Sequence, residues 1–438
     1  MTQNVYDVIG IGFGPANIAL AAALEERQAG FKIAFLERMK APAWQPAMLL
    51  SGSDIQNNPL RDLVTPRNPR SRYSFTNFLH EHGRLFEYLN LGIEFPLRKE
   101  YSQYVTWVAR QFDRWARYGI AVTDLRIEAK GGQDVYVLTT SDGEHLAARS
   151  IVAAPGRTPL LPPPFEDREG ERLFHLTRYL PALDHYQRRH GRPRSICVIG
   201  GSQSAVELIL DLSARFPDSD TINVQRGYGF ALKDTSPFSD RVYFPEHVDY
   251  YFNASPSSKA TIDEQLKRTN YSSADGDVIR KLYLTMYEQK LDRAERIRVL
   301  SNTRVLSIKD VENGIKLDLE EIHRHERSEL HADIVILATG FRNLGPGPDQ
   351  ERIPPLLAPV ANRLLTDDAG VLSVARDYRL RPKRSDAPIP PIFLNGLCES
   401  SHGMGDAGSF SLLALRSDLI ARSLEAALAN RASLLQAS

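Results

Sequence analysis

Apolar and polar positions divide the chain into two strand–turn–helix–strand units separated by long polar stretches. Tyr6–Ile11 (YDVIGI) is a short apolar run ending in glycines and predicts a buried strand. Ala16–Glu26 (ANIALAAALEE) has helical spacing, Phe31–Leu36 (FKIAFL) predicts a second strand, and Glu37 closes it. Strand, glycine turn, helix, strand and acid make one βαβ unit. The pattern returns with Ser195–Ile199 as strand, Gly200-Gly201-Ser202 as turn, Gln203–Ala214 as helix and Thr221–Gln225 as strand, ending at Arg226. Tyr136–Thr139 and Ser150–Ala154 predict shorter strands, and Ala332–Leu337 (ADIVIL) a strand running into Ala338-Thr339-Gly340. Phe410–Ala429 is apolar but interrupted by Arg416, Asp418, Arg422 and Glu425, so it predicts an amphipathic helix and not a membrane span. Residues 41–100 and 229–290 are polar and aromatic with little periodicity. Irregular segments of that length in a compact protein are usually functional.

Composition narrows the picture. A chain of 438 residues exceeds one ordinary core and predicts two or three domains. Lys+Arg and Asp+Glu are both 54, so no global basic field exists to hold nucleic acid or an anionic membrane. Cys197 and Cys398 form no CxxC pair; neither a zinc site nor a redox disulfide is expected, and no metal. Low cysteine use fits a reducing compartment. A strand starting at residue 6 leaves no room for a signal peptide, so a cytoplasmic protein is expected.

The two turns carry the candidate chemistry. In Gly10-Ile11-Gly12-Phe13-Gly14-Pro15, small residues let backbone N–H groups approach a pyrophosphate at the following helix N-terminus. Glu37 can accept from ribose hydroxyls, and its charge favours FAD or NAD over NADP. The bland alternative is a tight turn with no ligand. At the second turn Ser202 stands where the motif has its middle glycine, followed by Gln203, Ser204 and Ala205. Arg226 occupies the place that Glu37 has in the first unit and suits a 2′-phosphate, hence NADPH; alternatively it caps a strand on a solvated edge. The predicted fold class is α/β with two Rossmann-like dinucleotide-binding domains, the NADPH domain inserted into the FAD domain, plus a small substrate-binding region. The first part of the FAD domain is expected over 1–165. The NADPH domain follows over 166–330, with a substrate-contacting insertion near 229–290. The returning part of the FAD domain, with the C-terminal substrate region, covers 331–438.

More specific stretches follow one another along the chain. They are Trp44, Met48-Leu49-Leu50-Ser51-Gly52, Gln56, Asp62-Leu63-Val64-Thr65-Pro66-Arg67-Asn68-Pro69, Tyr73-Ser74-Phe75, and Phe95-Pro96 with Arg98. Ser236-Pro237-Phe238, Thr269-Asn270-Tyr271-Ser272, Ser401-His402-Gly403 and Asp406 come later. In this order they resemble the microbial amino-acid N-hydroxylases, flavin monooxygenases typified by L-ornithine and L-lysine N-monooxygenases, over roughly residues 5–425. The resemblance implies FAD at Gly10, Gly12, Gly14, Pro15 and Glu37, and a flavin neighbourhood of Trp44, Gln56, Gly340, His402 and Asp406. It implies NADPH at Gly200, Ser202, Gln203, Ser204 and Arg226. Gln56 matches a glutamine beside the flavin, Asn270 an asparagine holding the substrate carboxylate, and Ser411 approximately a serine near the substrate. The implied chemistry is N-hydroxylation of a primary amine by O₂ through a C4a-hydroperoxyflavin, the cofactor carrying the reaction and the protein orienting it in a dry pocket. A homo-oligomer, dimer or tetramer, is also implied.

Departures from the family pattern shape the substrate expectation. Arg61 stands where the family has a lysine that pairs with the substrate α-carboxylate, Trp44-Gln45 replaces Trp-His, and Arg268 precedes Thr269-Asn270. Arginine grips carboxylates with two parallel hydrogen bonds. Arg61 and Arg268 together suggest a substrate with two carboxylates, L-aspartate, on the way to nitrosuccinate. The alternatives are L-ornithine N5- or L-lysine N6-hydroxylation for siderophore or natural-product biosynthesis, and, from another class, a non-catalytic NADPH/FAD-binding redox sensor. Single residues have bland readings too. Trp44 could be core packing, His402 a structural hydrogen-bonder, Asp62 a backbone anchor, and Arg67, Arg70 and Arg72 a solvated turn or an attractor of NADPH phosphates.

Overall fold

The computed structural model describes residues 5–130, 132–406 and 408–436, with side chains to residue 430. Two five-stranded parallel sheets form its frame. The first runs in the order Ile392–Leu394, Ile151–Ala153, Val8–Ile11, Ile33–Glu37, Ala116–Tyr118. Its outer strand comes from the C-terminal quarter of the chain, so this layer is assembled from both ends. The second runs Ile297–Leu300, Asp220–Val224, Ser195–Ile199, Ile334–Leu337, Leu173–His175. Ile334–Leu337, assigned from sequence to the returning part of the first unit, pairs in parallel with Ile196–Ile199 and belongs to the second sheet. The first layer takes up the chain again only with Ile392–Leu394.

Each sheet has a smaller companion layer, of which the sequence reading placed only Tyr136–Thr139 as a strand. Val122–Lys130, Gln133–Thr140 and His145–Ala148 form an antiparallel meander, to which Val5–Tyr6 adds in parallel. Thr303–Val311, Gly314–Glu321 and Arg327–Ala332 form another. The predicted strand over 6–11 is therefore divided between two sheets. The break is at Asp7, whose carboxylate accepts from the Lys32 backbone N–H (2.9 Å) and from Arg149 (2.8 Å), turning the chain from one layer into the other.

The helix Pro15–Glu26 is buried from Asn17 to Leu24. Its alanines leave room for the C-terminal helix Leu413–Gln436 to lie against it, locked at the end by Arg27 and Glu425 at 2.5 Å. A helix apolar on all sides needs such a cover. The segment 41–100 is less irregular than its composition suggests. It holds the short helices Phe75–Glu81 and Leu85–Leu91, and Arg98 opens a longer one, Arg98–Arg110. Asp62 organises the entry. Its carboxylate accepts from the N–H groups of Val64, Thr65 and Phe75 and from the Thr65 hydroxyl, at 2.6–2.9 Å. Asp62 is thus a backbone anchor. Phe75, Phe78, Tyr101 and Tyr104 then pack ring against ring.

Candidate active site

The two glycine turns have the same construction. Gly12 has φ +84°, and a Cβ there would meet the Ala154 carbonyl oxygen at 2.3 Å; Gly200 has φ +146°, and its Cβ would meet the Ala338 carbonyl oxygen at 2.4 Å. Only glycine fits either position. Gly14 and Ser202 are the N-caps of the helices Pro15–Glu26 and Gln203–Arg215, and neither helix has a side-chain cap bond. A Cβ on Gly14 would meet nothing within 4 Å. Open helix N-termini in front of a backbone too tight for side chains are what a pyrophosphate needs, so the turns fit FAD and NADPH. Glu37 accepts from Phe13 N (2.7 Å) and Met39 N (2.8 Å), which fixes its carboxylate at the rim of the first turn. Arg226 is exposed just beyond the Asp220–Val224 strand and has no ion-pair partner among the described residues.

A polar chain joins the two units. Gln56, with φ +52°, donates its side-chain amide to the Asp275 carboxylate. Asp275 N donates to Gln203 Oε1 (2.8 Å), and Gln203 Nε2 donates to Glu207 (3.0 Å). Glu207 takes both arms of Arg98 at 2.9 and 3.0 Å, and Arg98 also donates to the carbonyls of Met48 and Asp54. The first helical turn of the second unit is thereby tied to the 48–56 loop of the first. Burial, with the carboxylates of Glu207, Asp275 and Asp277 nearby, pushes the Asp54 carboxyl up to about 6.

Beside this chain lies a cluster of charged and phenolic groups. Arg61 donates to Ser411 Oγ at 3.4 Å, across 350 residues of sequence, and Ser411 donates to Asn57 Oδ1 at 3.2 Å. The Arg61 guanidinium stands 5.9 Å from the Tyr243 ring. Burial raises the Tyr243 phenol first, and Asp240, Glu399 and Asp275 act on it in the same direction, with Arg61 opposing. Lys233 is 3.6 Å from Asp275. Glu399 accepts from Tyr271 OH (2.5 Å) and Asn343 Nδ2 (2.9 Å). Burial pushes the Glu399 carboxyl up to about 7, against the pull of Tyr271 and Arg157. Arg157 follows Ala154 by three residues, so the strand end that shapes the first turn also reaches this cluster.

Other expected site residues sit differently. Gly10 lies inside the Val8–Ile11 strand, and its missing Cβ makes room for the Phe35 ring, which would stand 2.2 Å away. Packing explains that glycine. His402 is fully buried, with its nitrogens 2.8 Å from Ser401 Oγ and 3.2 Å from the Arg376 carbonyl and its ring stacked on Tyr378. Asp406 is ion-paired to buried Arg416 at 2.7 Å. Both have internal partners, which for His402 is the structural hydrogen-bonding that the sequence also allowed. Cys398, His402 and Asp406 cluster within 4.8 Å, but the Arg416 guanidinium already supplies the positive charge there. Trp44 packs edge-on to Tyr101 and Phe410, the core-packing reading. The Gly340 carbonyl accepts from Leu160 N and lies 3.0 Å from His175 Nε2. Ser204 lies half-buried in the first turn of its helix. Arg268 and Asn270 are exposed; Arg268 lines an open groove with Lys233, Asp234 and Lys267, and no contact joins it to Arg61. The two-arginine carboxylate clamp is therefore not assembled. Arg67 and Arg72 are held by Glu26 (2.6 Å) and Glu25 (3.2 Å), so they anchor a turn. The sequence reading missed Lys233, Asp240, Tyr243, Asp275 and Glu399 as site residues, although Ser236-Pro237-Phe238 stands beside Asp240 and Tyr271-Ser272 beside Asp275.

Two glycine cradles, two open helix N-termini and a charged cluster beside them define a two-dinucleotide oxidoreductase. The family described as L-lysine 6-monooxygenase/L-ornithine 5-monooxygenase matches residues 4–343, and the chain belongs to it. It is 35% identical over 432 residues to an L-ornithine N(5)-monooxygenase of Pseudomonas aeruginosa, covering 97% of this chain and 94% of that one. It resembles the ornithine N-hydroxylase of Kutzneria sp. 744, solved with reduced FAD, NADP⁺ and L-ornithine, at 34% identity and TM-score 0.89 over 97% of this chain and 99% of that one. It also resembles an L-lysine 6-monooxygenase from Pseudomonas syringae at 36% identity and TM-score 0.84, over 96% and 99% of the two chains. The protein is an FAD- and NADPH-dependent monooxygenase that N-hydroxylates an amino acid with O₂. An L-aspartate substrate finds no support among these relatives, while the ornithine alternative does. Among the described residues no helix is long and apolar enough to cross a membrane.

Proposed function

We propose that the substrate is a diamino acid hydroxylated on its side-chain amine, with L-ornithine first and L-lysine second. The observation that carries this reading is the placement of the arginines: Arg61 donates to Ser411 at 3.4 Å, whereas among the described residues Arg268 lines an open groove with no contact to it, so a clamp for two carboxylates is not assembled. L-Aspartate brings a second carboxylate, for which that arrangement offers no second guanidinium. Ornithine brings one carboxylate and two ammonium groups. Arg61 grips the α-carboxylate, with Ser411 steadying the guanidinium, and so takes the part of the lysine found elsewhere in the family. Gly12, Gly14 and Glu37 hold FAD. Gly200, Ser202 and Gln203 hold NADPH, with Arg226 on its 2′-phosphate, and Gln56, fixed by Asp275, stands beside the flavin.

Bound FAD, reduced by NADPH, supplies the activated oxygen atom. The chain's own residues present the amine. That amine must lose its proton before it can attack, and Glu399, held up to about 7 by burial, is an acceptor in the cluster near neutral pH. The Gln56–Asp275–Gln203–Glu207–Arg98 chain fixes the two nucleotide units relative to one another, as transfer between two cofactors requires. The test is a panel of ornithine, lysine and aspartate scored by hydroxylamine formed per NADPH consumed. Coupled product from ornithine or lysine is expected. Coupled product from aspartate alone would overturn the reading.

A further inference from the structure

Two glutamine amides stand in the polar chain between the nucleotide units, and their surroundings differ. Gln203 has both ends taken: its Oε1 accepts from Asp275 N at 2.8 Å and its Nε2 donates to Glu207 at 3.0 Å. Gln56 has one end taken. Its Nε2 donates to Asp275 Oδ2, while its Oε1 has no donor among the described residues. The Gln56 backbone is pinned at φ +52°, with its N–H on Asp54 Oδ1 at 2.9 Å. Asp275 is the N-cap of the helix Gly276–Leu291, yet its side chain makes no cap bond, the bond for which an aspartate is favoured there. Its two oxygens go elsewhere, Oδ2 to Gln56 and Oδ1 to Lys233 at 3.6 Å. Burial raises the Asp275 carboxyl, and Lys233 pulls it back. An ionised carboxylate only accepts, so an amide that faces it must present N–H and turn its carbonyl the other way.

We propose that Asp275 is a positioning residue that fixes the sense of the Gln56 amide, so that its carbonyl oxygen, and not its NH₂ group, is offered to the bound flavin. The inference rests on the reading above that places Gln56 beside the flavin. A reduced flavin carries a ring N–H that the oxidised ring lacks, and a fixed carbonyl acceptor favours the form that can donate to it. Asp275 therefore acts, through Gln56, on the midpoint potential of the flavin. Lys233 decides what an asparagine would do in the same place. Asparagine has a single side-chain oxygen, and an ammonium claims it more strongly than a neutral amide does. The asparagine NH₂ would then face Gln56 and reverse its amide, turning a donor where the acceptor had been.

The test is the midpoint potential of the bound flavin, read by a dye-equilibrated reductive titration of the flavin-loaded enzyme. Gln56→Ala removes the acceptor and should lower the potential. Asp275→Asn should lower it by about 30 mV, a tenfold smaller preference for reduced over oxidised flavin in a two-electron couple. The sign separates this role from plain electrostatics, because deleting a negative charge by itself favours the added electrons and raises the potential. Asp275→Asn combined with Lys233→Met removes one charge of each sign and frees the asparagine oxygen for Gln56. That double variant should return to within about twofold of the parent preference, or ~10 mV. If Asp275→Asn does not fold, Asp275→Ser keeps a good helix cap, and its hydroxyl, accepting from Lys233, turns its O–H to Gln56; the same fall is expected. A rise, an unchanged potential or a double variant that does not recover overturns the role of Asp275. If Gln56→Ala lowers the potential and Asp275→Asn does not, only that role has failed. If Gln56→Ala leaves the potential unchanged, the placement of Gln56 beside the flavin has failed with it.

Discussion

The two nucleotide turns match almost atom for atom in their framework and differ in the charge at their rims. Gly12 N donates to the Leu36 carbonyl at 2.8 Å and Gly200 N to the Val224 carbonyl at 3.1 Å. Asn17 Nδ2 holds the carbonyl of Gly12 at 2.7 Å, and Asn223 Nδ2 holds that of Gly200 at 2.8 Å. Ala154 and Ala338 close the two turns from the neighbouring strand, donating to Ile11 and Ile199 at 2.8 Å in each case. Yet Asn17 comes from the helix after its turn and Asn223 from the next strand, so the same bond is reached from different places in sequence. What distinguishes the sites lies at the end of that strand. Glu37 is pinned by two backbone N–H groups, whereas Arg226 is exposed and unpaired among the described residues. The frame suits a dinucleotide at both turns, and in the proposed reading the rim residue selects which one.

The largest expected effect breaks the frame. Gly12→Val places side-chain carbon against the Ala154 carbonyl and should give protein without flavin, read by absorbance of the purified enzyme. Gly200→Val makes the equivalent clash with Ala338 and should keep the flavin while abolishing its reduction by NADPH in anaerobic stopped-flow. If Gly200→Val lost flavin and Gly12→Val kept it, the assignment of cofactors to turns would be reversed.

A rim substitution should act more gently. Arg226→Ala is expected to raise KM for NADPH roughly 10- to 100-fold, the worth of one or two charged hydrogen bonds. KM for NADH should stay within about threefold. Equal losses with both nucleotides would mean that Arg226 supports the fold and does not read the 2′-phosphate.

The smallest effect is on stability, at the charged cluster beside both turns. Glu399 titrates near 4.5 when unfolded and at about 7 in the fold, chiefly through burial. Between those values the native state binds more protons than the unfolded state, so this residue makes stability fall as pH rises from about 4.5 to about 7. His175 and His402, pushed down to about 4 by burial, act in the opposite sense over much of that window. Comparing Glu399→Gln with the parent cancels the histidines. The difference in Tm between variant and parent should shift in favour of the variant as pH rises across that window and level off above it. A pH-independent difference would mean that Glu399 is not buried as a titrating group.

The sequence by itself determined the two βαβ units, because glycine turns, periodic apolar runs and a charged rim residue are local features and the backbone obeys local sterics. Ser195–Ile199 was legible to the residue, and the Pro15–Glu26 and Gln203–Arg215 helices to within one. The family was legible as well, through short motifs spread along nearly the whole chain. Tertiary structure alone decided which sheet receives Ile334–Leu337, since parallel pairing with Ser195–Ile199 leaves no mark in either segment. It decided that Phe35 is the reason for Gly10, and that His402 and Asp406 face inward to Arg376 and Arg416. It decided the charge of the site most of all. Arg61 and Arg268 looked like a pair from their residue type, but a field depends on distance. Folding set Asp240, Asp275 and Glu399 among Arg61, Lys233 and Arg157 and left Arg268 on an open groove, so a site that read as cationic in sequence is mixed in charge in space.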